Sequence, residues 1–339
     1  MRHPRRVVAA TAASGLALVA VLSGCSGSGD STVTRPYVVT STNVWGSVAE
    51  AVVGDHGTVK SLYTSPDGDP HEFTPSAADS ASVADADIVL INGGHYDEYL
   101  SKAKKSDSAT VIDASELLGI KDDDHAGHAH GDEGHEDGDH EGGDHGHEAH
   151  GDDHGHEGHA HDDGSPNEHV FYNLTAVRKS ADALANALAK RAPDHAADYR
   201  RNATDFGKQL DGLQGKLNAI SAKHKGTKVA QTEPLAGYLI EAAGLVDASP
   251  RAFIMAVENG QSPSAADRAK LDDLLTSRIA KALIYNTQSA DAVTAAVRTT
   301  AERSGVPLVT LTESLPAGVT TYVQWQGAQI DALAAALDK

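Results

Sequence analysis

The sequence predicts an α/β protein of two lobes, each a mainly parallel sheet flanked by helices, with a long helix running between them. Three observations carry that expectation. Short β-branched runs alternate with helical stretches through residues 37–121, the pattern of βαβ units. The same alternation restarts in residues 226–339. Between them, residues 194–223 carry one apolar stripe of Tyr199, Phe206, Leu210, Leu213, Leu217 and Ile220 at helical spacing. At 1.5 Å per residue, a helix of roughly 30 residues spans about 45 Å, enough to carry the chain from one lobe to the next. A coiled-coil seam would also give a stripe, but Gly207, Gly212 and Gly215 within it argue against one, and the chain is expected to be a monomer. With 339 residues, 40% of them hydrophobic, it can bury the cores this fold needs.

The chain opens with Arg2, Arg5 and Arg6 ahead of an apolar run over residues 7–22. That run is short for a membrane span and interrupted by Thr and Ser, so residues 1–24 read as a signal peptide. It ends in Leu22-Ser23-Gly24-Cys25, which resembles the lipobox of bacterial lipoproteins, where the Cys is acylated. Cys25 is the single Cys, which excludes an intramolecular disulfide and any Cys-based zinc set. Residues 25–36, rich in Ser and Gly, read as a flexible tether.

In the first lobe, strands are expected over residues 38–40, 59–62, 88–91 and 110–112, and helices over 44–53, 76–86 and 96–104. The loop from Ser65 to Pro75 holds two Pro-fixed turns, which put His71 at the C-terminal end of a strand, where open α/β sheets bind ligands. Residues 92–97 form a Gly-rich turn that lacks the spacing and the Lys of a P-loop. His95, in that turn, is expected at the surface or behind the ligands.

Residues 122–163 are a different kind of polymer: twelve His, sixteen Asp or Glu, ten Gly and four Ala. Nothing there can build a core, so the segment is expected to stay disordered. A solvated acidic spacer would explain the carboxylates. It would not explain His125, His128, His130, His135, His140, His145, His147, His150, His154, His156, His159 and His161, whose imidazoles are ligands for a divalent cation. The segment also accounts for sixteen of the net twenty negative charges, so the rest is nearly balanced, and no basic patch for nucleic acid appears in either part.

Residues 164–193 return the chain through His169 to a helix of the first lobe, broken at Pro193, and residues 194–225 form the linker helix. In the second lobe, strands are expected at 228–231, 282–285 and 308–311, and helices at 234–243, 264–277, 290–303 and 320–337. Glu233 follows the first of these strands and Asn286 the second, again at C-terminal ends. For Glu233, partnership with a helix N-terminus is an equally good account.

Asp69-Pro70-His71-Glu72-Phe73, the His-rich insertion, His169 ahead of a long helix, and Thr232-Glu233-Pro234-Leu235-Ala236-Gly237-Tyr238 together resemble the zinc and manganese solute-binding lipoproteins of ABC importers. The resemblance covers residues 37–338. It implies two lobes holding one metal in the cleft between them, His71 and His169 as ligands, a membrane permease as partner, and an extracytoplasmic chain anchored to the membrane through Cys25. The second lobe departs from the family pattern. Where zinc members commonly place a His, this chain has Glu233, and where they often place a later carboxylate it has Asn286. The expected set is therefore His71, His169 and Glu233, with water, Asn286 or a loop His as the fourth ligand. Such donors suit Zn2+, with Mn2+ or Fe2+ as the alternative cargo, and the imidazole-rich segment favours zinc. Two His and a Glu also describe a hydrolytic zinc site, but HExxH and an evident general base are both missing. A metal buffer or adhesin working without a transporter is the remaining alternative.

Overall fold

A computed structural model of the chain describes residues 35–120 and 166–339. The expected signal peptide, Cys25, the tether to residue 34 and the His-rich segment lie outside the described residues. Among the described residues no helix is long and apolar enough to cross a membrane.

The first sheet contains β1 (Tyr37–Thr42), β2 (Thr58–Tyr63), β3 (Ile88–Ile91) and β4 (Thr110–Asp113), all parallel, in the order β2-β1-β3-β4. Parallel strands covered on both faces read as continuous apolar runs, and β3, Ile-Val-Leu-Ile, is buried throughout. The helices of this part are α1 (Asn43–Val53), α2 (Ala77–Asp85), the single turn α3 (Glu98–Ser101), α4 (Ala114–Leu117) and α5 (Leu174–Arg191). Caps fix their starts. Ser76 and Asp79 form a capping box on α2, and the Asn173 side chain accepts from the amides of Thr175 and Ala176 at the head of α5.

After α5, a 3-10 turn at Pro193–His195 leads into α6 (Ala196–His224), 29 residues long. Every member of its predicted stripe is buried. That stripe packs on α5 and α1 from one sheet and on α11 (Tyr322–Leu337) from the other, so one apolar cluster runs through both halves. Burying six large side chains at about 1.5–3 kcal/mol each holds the two sheets to a common spine.

The second sheet repeats the first: β5 (Lys228–Gln231), β6 (Val246–Asp247), β7 (Leu283–Asn286) and β8 (Leu308–Leu311), parallel, in the order β6-β5-β7-β8. Around it lie α7 (Gly237–Ala242), α8 (Arg251–Glu258), α9 (Ala265–Thr276) and α10 (Ala292–Ser304). The fold class is the expected one. The expected helix over 96–104 shrinks to α3, and α4, β6 and α8 were not anticipated. All are short, and elements of that length are held by tertiary contact rather than by their own propensity.

Candidate metal centre

In each sheet the strand order reverses beside the first strand, and the loops leaving the C-terminal strand ends gather at that switch point. The first sheet brings His71 from the loop after β2. There Asp69 caps a 3-10 turn at Pro70–Glu72, its carboxylate accepting from the His71 amide at 2.8 Å. His169 stands just before α5 and is held on both sides. Its amide and its Nδ1 both lie against Asn167 Oδ1, at 2.9 and 3.0 Å, which turns Nε2 toward the cleft.

The Asn92–Gly93 turn after β3 supports that segment. Asn92 Nδ2 donates to the Glu168 carbonyl at 2.7 Å, and the Asn92 and Gly93 amides donate to the Asp97 carboxylate. The amides a phosphate would need are thereby taken. Gly93 has φ +75°, and a Cβ there would fall 2.1 Å from Asp113 Oδ1, so only glycine fits. His95, also left-handed at φ 73°, is exposed beside Glu98, with its Nδ1 2.9 Å from Oε1.

From the second sheet comes Glu313, two residues beyond β8 and fully buried. Its Oε2 lies 3.3 Å from His71 Nε2, 3.4 Å from His169 Nε2 and 2.9 Å from the donating Tyr96 hydroxyl. Its Oε1 accepts from Asn286 Nδ2 at 2.6 Å. His71, His169 and Glu313 are thus close enough to share one ion. At bond lengths of 2.0–2.2 Å the edge of a tetrahedron around zinc is about 3.4 Å, which is the spacing seen here.

It is Glu313, and not the expected Asn286, that the structure brings against the two imidazoles. Both amide atoms of Asn286 are engaged, Nδ2 with Glu313 and Oδ1 with the Gln288 amide at 2.9 Å, so it orients a carboxylate rather than offering a ligand atom. Glu233 is buried and interacts electrostatically with Glu313 and His169, its Oε2 accepting from Ser289. Glu258, at the end of α8, brings Oε1 to 3.7 Å from His169 Nε2 and was missed because α8 was missed. Glu313 did leave a signal: the rule applied to Asn286 at the end of β7 applies equally after β8.

Burial and mutual charge couple the imidazoles to the carboxylates. Burial pushes His71 down, but the Glu313 carboxylate at hydrogen-bond distance outweighs it and lifts His71 to about 10. His169 reaches about 9 by the same balance, with Glu258 and Glu313 overcoming burial. Glu313 is held well below the usual carboxylate range because the two imidazoles outweigh its desolvation. Burial, together with repulsion from Glu313, raises Glu233 to about 7. Burial first, and Glu233 among its neighbours, raises Glu258 to about 8. Three buried donor atoms, His169 Nε2, Glu233 Oε1 and Glu258 Oε1, have no hydrogen-bond partner. Buried polar atoms are nearly always satisfied, so unpartnered oxygens and a ring nitrogen on residues coupled to the triad fit an ion.

Residues 38–336 match the family model described as zinc-uptake complex component A, periplasmic. The chain belongs to this family. It is 33% identical over 237 residues to the high-affinity zinc uptake system protein ZnuA of Paracoccus denitrificans (strain Pd 1222), covering 68% of this chain and 70% of that one. To its namesake from Bacillus subtilis (strain 168) it is 28% identical over 253 residues, 74% and 70% of the two chains. The fold also matches the periplasmic zinc-binding protein TroA of Treponema pallidum, with a TM-score of 0.65 at 19% identity, over 90% of this chain and 99% of that one. Membership makes the chain an extracytoplasmic solute-binding component of an ABC metal importer, and a carrier rather than an enzyme. Its His/Glu triad is a metal-binding site consistent with zinc or manganese as cargo.

Proposed function

We propose that the chain captures Zn2+ outside the cell and hands it to the permease of an ABC importer. His71, His169 and Glu313 would be ligands, with Glu233 or Glu258 as the fourth. The observation that carries the reading is the convergence of two imidazoles from the first sheet and a carboxylate from the second at tetrahedral spacing, beside orphaned donors. Zinc is favoured because raw affinity at an N/O site of this kind exceeds that for manganese, and because the family and the two relatives named above are described by zinc uptake. The surplus of carboxylates, Glu233 and Glu258 beside Glu313, is what supports manganese as a second reading, since hard oxygen donors suit it.

In this reading Cys25 carries the acyl chains that keep the chain at the membrane, more than one being needed for stable anchoring. The His-rich segment gathers metal through many weak sites that raise its concentration near the cleft. Competitive titration of the mature chain with zinc and manganese tests the assignment, beside one variant lacking residues 122–163 and one carrying His71→Ala, His169→Ala and Glu313→Ala. The deletion is expected to keep one tight site and lose several weak ones, and the triple variant to do the reverse. A tight site surviving the triple variant refutes the ligand set, and tighter manganese than zinc binding refutes the cargo.

A further inference from the structure

A second group of metal-ligating side chains lies away from the cleft, where the first sheet's α1 meets the start of the linker helix α6. His56 closes the 3-10 turn Gly54–His56 after α1, His195 caps α6, and Asp198 is in the first turn of α6. Asp198 Oδ2 lies 3.2 Å from His56 Nε2 and 3.8 Å from His195 Nδ1. The three can reach one ion. His195 and Asp198 are three residues apart, which puts them on one face of the helix. We propose that His56, His195 and Asp198 form a second, surface site for a borderline divalent cation such as Zn2+, which ties the start of α6 to the first lobe.

Four features argue for a built site. The donor set, two imidazoles and one carboxylate, is complete enough for zinc with water in the remaining position. The spacings of 3.2 and 3.8 Å bracket the roughly 3.4 Å edge of a zinc tetrahedron. The scaffold is fixed independently of the cluster: the Tyr199 hydroxyl donates to the His56 carbonyl at 2.7 Å and Asn202 Nδ2 to the Val52 carbonyl at 3.1 Å. Finally, Arg201 occupies only Asp198 Oδ1, at 2.6 Å, which leaves Oδ2 turned to the imidazoles.

The geometry also sets limits. The two rings are stacked, with centroids 3.8 Å apart and planes 15° from parallel. An imidazole nitrogen binds metal in its ring plane, so capture must splay the stack. The side chains are 31%, 24% and 30% exposed for His56, His195 and Asp198, which leaves room for that rotation. Arg201 and the positive end of α6 both oppose a cation, so this site is weaker than the cleft.

The test uses the full chain and Zn2+ in two parts. In crystals grown with excess Zn2+, anomalous scattering at the zinc edge is expected to show an ion within about 2.0–2.2 Å of donors on all three side chains. In solution, thermal unfolding is followed in a His71→Ala/His169→Ala background, with and without His56→Ala and His195→Ala. At Zn2+ a hundredfold above half-saturation, the background variant is expected to gain about 4 °C more than the quadruple variant. Both share the His-rich segment, so its binding cancels in the difference. No anomalous peak at the three residues, or equal zinc-induced shifts in the two variants, would overturn the proposal. Either result leaves the cleft assignment untouched.

Discussion

The two sheets have the same strand order, yet they equip the cleft with opposite chemistry. The first sheet's side contributes both imidazoles, His71 and His169, with Glu168 beside them, and the second contributes only carboxylates, Glu233, Glu258 and Glu313. The imidazoles pair with Glu313 across the cleft, which favours their protonated forms. Each lobe's half of the site thus carries charge that the other half balances.

Removing the carboxylate side of the contrast should have the largest effect. Glu313→Ala leaves two buried or half-buried imidazoles without their partner and takes one ligand from the ion. Metal affinity is expected to fall at least about a thousandfold, on the order of 4 kcal/mol. Metal-free stability in a urea titration should drop by about 3–5 kcal/mol, the cost of breaking a buried pair. Glu313→Gln keeps the volume and separates the charge from the packing. If either variant bound zinc normally, the cleft would be organised around a different carboxylate.

The pH dependence sharpens the contrast next. His71 and His169 are raised to about 10 and 9 from 6.5, so their contribution to metal-free stability is complete below pH 6.5 and is lost as pH rises through 9 to 10. Glu313 is lowered from 4.5, so its contribution is complete above pH 4.5 and is lost as pH falls through its depressed value. The triad therefore stabilises the metal-free chain most between pH 4.5 and 6.5. Metal binding runs the other way, because both imidazoles must lose protons to coordinate. Uptake at pH 7 is expected to release about two protons, and apparent affinity to fall by up to about a hundredfold per pH unit of acidification. Calorimetry in buffers of different ionisation enthalpy measures the proton count, and a count near zero would mean the His residues are not ligands.

How much of this was legible from the chain differs between the lobes. His71 is marked by its place in the Pro-fixed loop Asp69-Pro70-His71, and His169 by the family resemblance of a His ahead of a long helix. The second lobe's carboxylates are less plainly marked. Glu233 and Asn286 were visible because each follows an apolar strand, but which of several groups after β5, β7 and β8 reaches the imidazoles depends on packing between lobes, which no local pattern encodes. Glu258 was hidden further, on an eight-residue helix with only Phe253 and Ile254 buried. The spine α6 was the easiest to read, since 29 residues of 3.6-residue periodicity leave few alternatives.

Gln288 offers a smaller way to break the symmetry. Its Oε1 accepts from the Ser314 amide at 3.0 Å and from the Glu313 amide, while its Nε2 donates across the cleft to the Pro66 and Gly68 carbonyls at 3.1 and 3.2 Å. One side chain therefore fixes the loop of His71 relative to that of Glu313. Gln288→Ala removes no ligand side chain, but it is expected to weaken zinc binding about tenfold, by leaving buried amides, Glu313's among them, unpaired and letting the two loops drift. An unchanged zinc affinity alongside unchanged urea stability would show that the lobes hold register without it.

The smallest effect should come from His95, whose ring lies against Glu98. It sits in the turn after β3, close in sequence to Tyr96, and its Nδ1 lies against Glu98 on the exposed side. A ligand role would require the ring to leave Glu98 and turn inward. Its φ of 73° also makes the backbone strained for any residue with a Cβ. His95→Gly removes the imidazole and relieves that strain together. Zinc affinity should stay within about twofold, and stability should hold or rise by up to about 1 kcal/mol. A tenfold loss of affinity would instead place His95 among the ligands, and would give the first lobe a third imidazole where the geometry assigns it two.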